Sequence, residues 1–469
     1  MMPANMLPKG WRRVPIKDMA DSIQYGHTAS AVARKGGPRF LRITDIQDGR
    51  VDWSEVPSCN IPKADIPKYR LSPGDLVFAR TGATTGKSFL ISECPEAVFA
   101  SYLIRVRVTG EVDSRYLSAF FQSPDYWGQI ESGKRGIGQP NVNGQVLGEV
   151  QFPIAPLPEQ RRIVAEIEKQ FTRLEAGVAA LRRVQANLKR YRAAVLKAAC
   201  EGRLVPTEVE RLKAEGRGLK DFESGEQLLK RSLTERRQNW LARRSLGEGG
   251  QGRGHYKEPA APDTAKLGPL PGGWTWATFE QIAERVTVGF VGSMKHEYVD
   301  NGVPFLRGQN VRENRFDPEG LLYVSPEFHG KLSKSALRPG DLAVVRSGSV
   351  GVTCVIPDSL PDSNCSDLVL VQRPLGFEPR YGAYYMNSLA KRHVAAGKVG
   401  VALIHFNTKS VAALAVPLPP LAEQTRIVAE VERRLSVVEE LESVVTANLQ
   451  RAARLRQSIL QKAFTGELT

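Results

Sequence analysis

The chain has 469 residues, with 65 Lys and Arg against 50 Asp and Glu, giving a formal charge of +15 and a sequence pI near 9.6. Its 42% apolar and 25% charged content is that of a folded chain of about two to four domains, and excludes a mostly disordered polymer. No run of about 18 apolar residues could span a membrane, and the opening MMPANMLPKGWRRVP lacks the apolar stretch of a secretory signal, so a cytoplasmic location is expected.

Residues 1–155 carry short β-rich runs such as DLVFA and YLIRVRV, broken by Gly, Pro and Asn, which predict a mixed domain dominated by strands. After the Pro-rich FPIAPLP, residues 156–204 lose both Pro and strand character. There Ile167, Leu174, Leu181, Leu188 and Val195 recur every seventh residue, with Val164, Phe171 and Val178 between them. This spacing predicts a long helix with a coiled-coil seam, or an amphipathic helix packed on its own domain. Residues 205–267 form a charged, helix-like stretch that passes into the Gly- and Pro-rich GEGGQGRGHYKEPAAPDT, read as a flexible linker.

Residues 268–419 repeat the strand-rich texture, and 420–469 repeat the helix. LPKGW at Leu7 is answered by LPGGW at Leu270, and LSPGDLVFARTGATTGKSFLI from Leu71 by LRPGDLAVVRSGSVGVTCVI from Leu337. LPEQRRIVAEIE from Leu157 is answered by LAEQTRIVAEVE from Leu421, and GRL at Gly202 by GEL at Gly466. The second seam runs through Val431, Val438, Val445, Ala452 and Ile459, and Gln185, Arg192, Glu442 and Arg456 interrupt the two stripes. One module therefore occurs twice, and two helical segments of equal length favour mutual pairing.

Motifs for chemistry are wanting. The five cysteines form no Cys-x-x-Cys pair, and the six histidines form no metal-spaced cluster. GEGGQG at Gly247 fits a dinucleotide pattern but follows no strand, and TGATTGKS at Thr81 leaves three residues between Gly82 and Gly86 where a phosphate loop needs about four. The Asn-Pro-Pro-Tyr clamp used around a flipped base is missing.

The repeated LPEQ/LAEQ helix starts, the LPKGW and LPGGW openings, the PGDLVFARTGATTGK loop and GQPNVN at Gly138 resemble the specificity (S) subunits of type I restriction-modification systems. The resemblance implies an α+β chain with an internal pseudo-two-fold repeat. Two strand-rich target-recognition domains would be joined by two long helices in an antiparallel coiled coil, each domain reading half of a split asymmetric site in double-stranded DNA. It further implies two adenine-methylating modification subunits and restriction subunits as partners, and no membrane. S-adenosylmethionine, ATP and Mg would then sit on those partners, with no cofactor on this chain. VGVALIHFN in place of a clean GQPNVN, and SGSVGVT without a Lys, depart from the family pattern in the second copy.

Three loops per domain carry residue types suited to phosphates or base edges. The first sets Arg42, Thr44 and Asp45 against Arg307, Gln309 and Asn310; the second sets Arg80, Thr81, Thr84, Thr85 and Lys87 against Arg346, Ser347 and Ser349. The third sets Lys134, Arg135, Gln139 and Asn141 against Lys398 and His405. Arg80 and Arg346 each follow an Asp by five residues, so pairing with Asp75 and Asp341 is the competing role. An enzyme with an unrecognised site, nuclease or methyltransferase, and a coiled-coil adaptor indifferent to DNA remain the alternative functions.

Overall fold

The computed structural model describes residues 7–33, 36–47, 49–82, 84–133, 142–218, 222–245, 255–265, 267–390 and 407–468. Strands form where the apolar runs find cover on both faces. In Leu76–Ala79 every residue is buried: Leu76 and Phe78 enter one apolar cluster, Val77 and Ala79 another. The second copy does the same at Leu342–Val345, with Leu342 and Val344 on one side and Ala343 and Val345 on the other.

These central strands organise equivalent sheets. The first sheet orders Ala20–Tyr25, Leu103–Val108, Leu76–Ala79 and Ser88–Leu90, and its counterpart orders Ala283–Val288, Leu368–Pro374, Leu342–Val345 and Thr353–Val355, all antiparallel. A smaller sheet covers one face of each, containing the parallel pairs Arg39–Leu41 with Ala97–Phe99 and Val303–Leu306 with Asn364–Cys365. A third antiparallel pair in each copy, Arg12–Pro15 with Gln151–Ile154 and Thr275–Thr278 with Ala415–Leu418, ties the start of the strand-rich region to the strand that precedes a long helix.

The long helices are Leu157–Cys200 and Leu421–Thr465. The chain divides into two units, Met1–Val184 with Val444–Thr469, and Gln185–Ser443. In the first unit, Ile163, Val164 and Ile167 share a core with Ile459, Leu460, Ala463 and Phe464. In the second, Val195, Leu196, Ala199 and Cys200 share one with Ile427, Val428, Val431 and Leu435. The start of one helix meets the end of the other each time, so the pairing within each unit is antiparallel, and each core draws on both copies of the repeat.

The expected seam residues Ile167, Leu188, Val195, Val431, Val438, Val445, Ala452 and Ile459 are buried, while Leu174 and Leu181 are half-buried. Three of the polar interruptions are matched to partners: Arg192 donates to Glu442 at 3.1 Å, and Arg456 pairs with Glu175 at 3.1 Å while lying 3.9 Å over the Phe171 ring. Gly202 and Gly466 end the helices in left-handed backbone, φ +67° and +79°. Gly202 faces Pro271 and Trp274 of LPGGW, and Gly466 faces Pro8 of LPKGW.

The glutamines of the LPEQ and LAEQ starts are wholly buried clips. Gln160 accepts from the Asp113 amide at 2.8 Å and donates to the carbonyls of Glu111 and Ala155 at 2.9 and 2.8 Å. Gln424 accepts from the Glu378 amide at 2.7 Å and donates to Pro419 and Gly376 at 2.9 and 3.3 Å. Each ties the first turn of a long helix to the loop after a central strand of its sheet, Leu103–Val108 or Leu368–Pro374.

The segment without a second copy folds onto the second unit. Helix Glu208–Ala214 begins with a capping box from Thr207 and Glu210. Helix Gly225–Ser245 buries Leu228 and Ser232, and the Ser232 hydroxyl donates to the carbonyls of Leu228 and Leu375. Glu423 accepts from the Trp274 indole and the Glu208 amide, both at 2.8 Å, and burial pushes its carboxyl above the usual range.

Val438 is 1% exposed, so Val438→Asp should cost about 3–5 kcal/mol, the scale of an uncompensated buried charge. Exposed Arg173→Asp should change stability little. Denaturant unfolding measures both, and an unshifted transition for Val438→Asp would show that the stripe is not packed.

Candidate nucleic-acid interface

At the end of Leu76–Ala79 the chain turns through a hairpin to Ser88–Leu90, and Arg80 opens that loop. Its guanidinium lies 4.9 Å over the ring of Tyr25, the last residue of Ala20–Tyr25, two strands away in the sheet, with the Arg80 Nε buried and unpartnered. The Arg80 amide donates to Tyr102 and its carbonyl accepts from Val142, at 3.2 and 3.0 Å. The Tyr25 hydroxyl accepts from the Gly144 amide at 2.7 Å. Tyr102 is 64% exposed beside it. The second loop and the C-terminal flank of the third thus meet at one sheet end, around two tyrosines.

Within the loop, Thr85 is buried and donates to the Gly82 carbonyl at 2.7 Å, while the Tyr126 hydroxyl donates to Gly86 at 2.7 Å. Gly86 has φ +98°, and a Cβ there would come within 2.7 Å of Trp127. The loop is a braced hairpin turn. Thr81 and Thr84 are half-buried and Lys87 is exposed.

Neither arginine pairs with the aspartate five residues before it. Asp75 takes Arg107 at 2.7 Å and the Ser72 amide at 3.0 Å, and Asp341 accepts from the amides of Arg338 and Arg373 at 2.9 and 2.7 Å. The Pro-Gly-Asp turns place both carboxylates under the sheet, where burial raises the Asp341 carboxyl. Arg346 instead binds Asp367 at 3.1 Å, and Asp367 also accepts from the Ser347 hydroxyl at 3.0 Å. Strand register makes Arg346 the counterpart of Arg80 and Asp367 that of Tyr102. One arginine lies on an aromatic face; the other is paired with a carboxylate.

The first loop is largely occupied with itself. Asp45 accepts from the Arg42 amide at 2.8 Å and from its guanidinium at 2.7 and 3.1 Å, which holds the Arg42 cation above its usual range. Asn310 is fully buried, accepts from the Arg307 amide at 3.0 Å and donates to the carbonyls of Asp317 and Glu319. Arg307 and Gln309 both donate to Gly320, at 3.0 and 3.1 Å. Asp45, Asn310 and Thr85 therefore shape their turns, while Thr44, Gln309, Ser347 and Ser349 are exposed. Lys134, Arg135, Gln139, Asn141, Lys398 and His405 lie outside the described residues.

Sequence reading missed Tyr25, Tyr102 and Asp367. The available signal was a glycine common to both copies: Tyr25-Gly26-His27 answers Val288-Gly289-Phe290, and a Cβ on Gly26 would run into the carbonyls of Phe99 and Ala100. Among the described residues no group of three or more His, Cys, Asp and Glu could hold a metal ion, and no helix is long and apolar enough to cross a membrane.

Residues 8–180 match the family model for the type I restriction modification DNA specificity domain. The EcoKI specificity subunit of Escherichia coli K12 is 26% identical, over all of this chain and 91% of that protein. The StySPI specificity subunit of Salmonella potsdam is 24% identical over 99% and 90%. The fold is shared with a chain from a solved type I restriction-modification assembly (TM-score 0.65, 21% identity, 98% and 99% coverage) and with the HsdS subunit of Thermoanaerobacter tengcongensis (0.54, 19%, complete coverage of both). Residues 8–180 carry the type I restriction modification DNA specificity domain, and over its whole length the chain is similar to the specificity subunits of such systems. A specificity subunit directs such a system to its DNA and is not itself an enzyme.

For a specificity subunit, the two arginine settings have different consequences. Asp367→Asn unties Arg346 and should tighten duplex binding by the assembled complex about threefold, the scale of an exposed ion pair. Arg80→Ala should weaken it and flatten the salt dependence by about one counterion. Fluorescence anisotropy across a salt series reads both, and no change with either variant would remove these loops from the interface.

Proposed function

We propose that the strand-rich regions 1–155 and 268–419 are two target-recognition domains, each reading one half of a split, asymmetric DNA site. The helices at 156–204 and 420–469 are the spacer between the halves, and two modification subunits dock on this scaffold, with restriction subunits joining them. S-adenosylmethionine, ATP and Mg belong to those partners, and the complex works on cytoplasmic DNA. The observation that carries the reading is the pair of buried glutamines: Gln160 and Gln424 each hold a helix start rigidly against a strand-rich region. A helix of 44 residues fixed in this way extends for about 65 Å and can serve as a ruler. Candidate contacts are Arg42, Thr44, Arg80, Thr81, Thr84, Lys87, Arg307, Gln309, Arg346, Ser347 and Ser349, together with the third loops. Phosphate contact is the usual fate of their Arg and Lys members.

Exchanging residues 7–155 for the same region of a relative should change one half of the methylated motif and leave the other intact. Methylome sequencing of the host reads the result, and a change in both halves, or in neither, overturns the assignment of one domain to one half.

The ruler has its own test. One in-phase heptad inserted after Leu181 and one after Val445 keeps the seam in register and adds about 10 Å, or roughly three base pairs. The variant should either accept a spacer longer by about three or lose specific modification, because three pairs also turn the second half-site by about a third of a helical turn. Wild-type methylation at the original spacing is the outcome the reading forbids.

A further inference from the structure

The repeat exposes on one unit a surface that it covers on the other. In the second unit, the edge built from LPGGW, the Thr275–Thr278 strand and the start of the second long helix is capped by helix Gly225–Ser245. Ser224 and Gln227 form its capping box, with Ser224 Oγ accepting from the Gln227 amide and Gln227 Oε1 from the Ser224 amide. The Gly225 amide donates to the Gly273 carbonyl at 2.7 Å. Gly225 lies so flat on the edge that a Cβ would run into the Leu418 carbonyl, and one turn on Leu228 covers Gly376.

The matching surface of the first unit, by strand register and by the glutamine clips, is Gly10, Arg12, Gly110, Glu111, Ile154 and Leu157. These residues line an open cavity of ≈ 300 Å³. The Gly10 carbonyl stands where that of Gly273 takes a helix amide. Beneath this junction the Trp11 indole N–H is buried without a partner, whereas Trp274 donates to Glu423.

We propose that this cavity receives the first turn of a helix from a modification subunit, the counterpart of the chain's own Ser224-Gly225 turn. This rests on the docking of modification subunits proposed above. The occupant must start with a small residue, since the edge admits no side chain at the equivalent of Gly225. It is not the 225–232 segment of a second copy. A Cβ at Gly376 would lie 2.8 Å from Leu228 and 2.6 Å from Ser232, and Glu111 carries a Cβ at that place. The Arg12–Glu111 ion pair at 3.1 Å, exposed on both sides, asks instead for a polar residue on the occupant's second turn. The two modification subunits consequently bind in non-equivalent ways, because the chain has already filled the matching surface of the second unit with its own helix.

Gly110 has open space where a Cβ would stand, so Gly110→Trp can fill the cavity without disturbing the fold. Native mass spectrometry of the full chain titrated with its cognate modification subunit should show two subunits on the wild type. Gly110→Trp should weaken one of them by about tenfold or more, and Gly330→Trp, equally open but in the second unit, should weaken neither. In the same complex, Gly110→Cys labelled with a benzophenone maleimide should photo-cross-link to the first turn of a modification-subunit helix. Two subunits retained on Gly110→Trp at wild-type affinity, or cross-links only to the restriction subunit or to a second copy of this chain, overturn the inference. A wild-type chain that binds no modification subunit overturns the underlying reading instead.

Discussion

The burial of one glutamine side chain at the start of each long helix is the constraint on which the rest depends. Gln160 and Gln424 satisfy backbone groups that would otherwise be stranded in the core, an amide and two carbonyls apiece. Leaving such a group unpaired costs about 1–3 kcal/mol, so the junction between helix and strand-rich region has one low-energy geometry. A flexible joint at that point would let a domain swing on its helix and would scramble any spacing the helix could set. The junction is further braced by the two-stranded pairs that end at Ile154 and Leu418, a few residues before the helices begin.

A second constraint follows from how the cores are completed. Neither core is local in sequence: the first unit, itself built from two separate stretches of chain, needs Ile459 to Phe464 beside Ile163 to Ile167, and the second brings Val195 to Cys200 beside Ile427 to Leu435. Loop closure over such separations is entropically costly and slows folding, but the arrangement makes the helix pair inseparable from both cores. A helix that frays would expose Phe464, packed 5.3 Å from Phe120. Helical stability here comes from tertiary packing, as it must for a long helix of mixed polarity.

The helices, the repeat and the mixed architecture were legible because they rest on local periodicity: a seven-residue spacing that places Val431, Val438 and Val445 on one buried line is visible without any tertiary information. Segment 205–245 was legible as helix but not as part of the second unit, since burial of Leu228 and Ser232 depends on Leu375 and Gly376, far away in sequence. The loops were legible in residue type alone. Arg80 and Arg346 stand out as basic residues after a strand, yet their partners Tyr25 and Asp367 come from elsewhere in the sheet, far off in sequence, so the five-residue spacing to Asp75 and Asp341 misled. Asp45 and Asn310 look like polar recognition groups, and only the turn geometry reveals them as caps.

The two copies differ most where specificity would have to differ. Their sheets share strand order and register and their clips make the same bonds, because these set position and tolerate little change. Around the equivalent arginines the partner changes from an aromatic ring to a carboxylate, and Asp367 adopts left-handed backbone, φ +48°, an uncommon state for a residue other than Gly. A backbone outlier held by strand pairing on one side and by an ion pair on the other positions its carboxylate firmly. An arginine tied in this way gives up its salt bridge before it binds a phosphate, whereas one lying on a tyrosine can keep the ring while its N–H groups face outward. A repeat that keeps its frame and varies the partner of one cation thus obtains two different loop surfaces from a single fold.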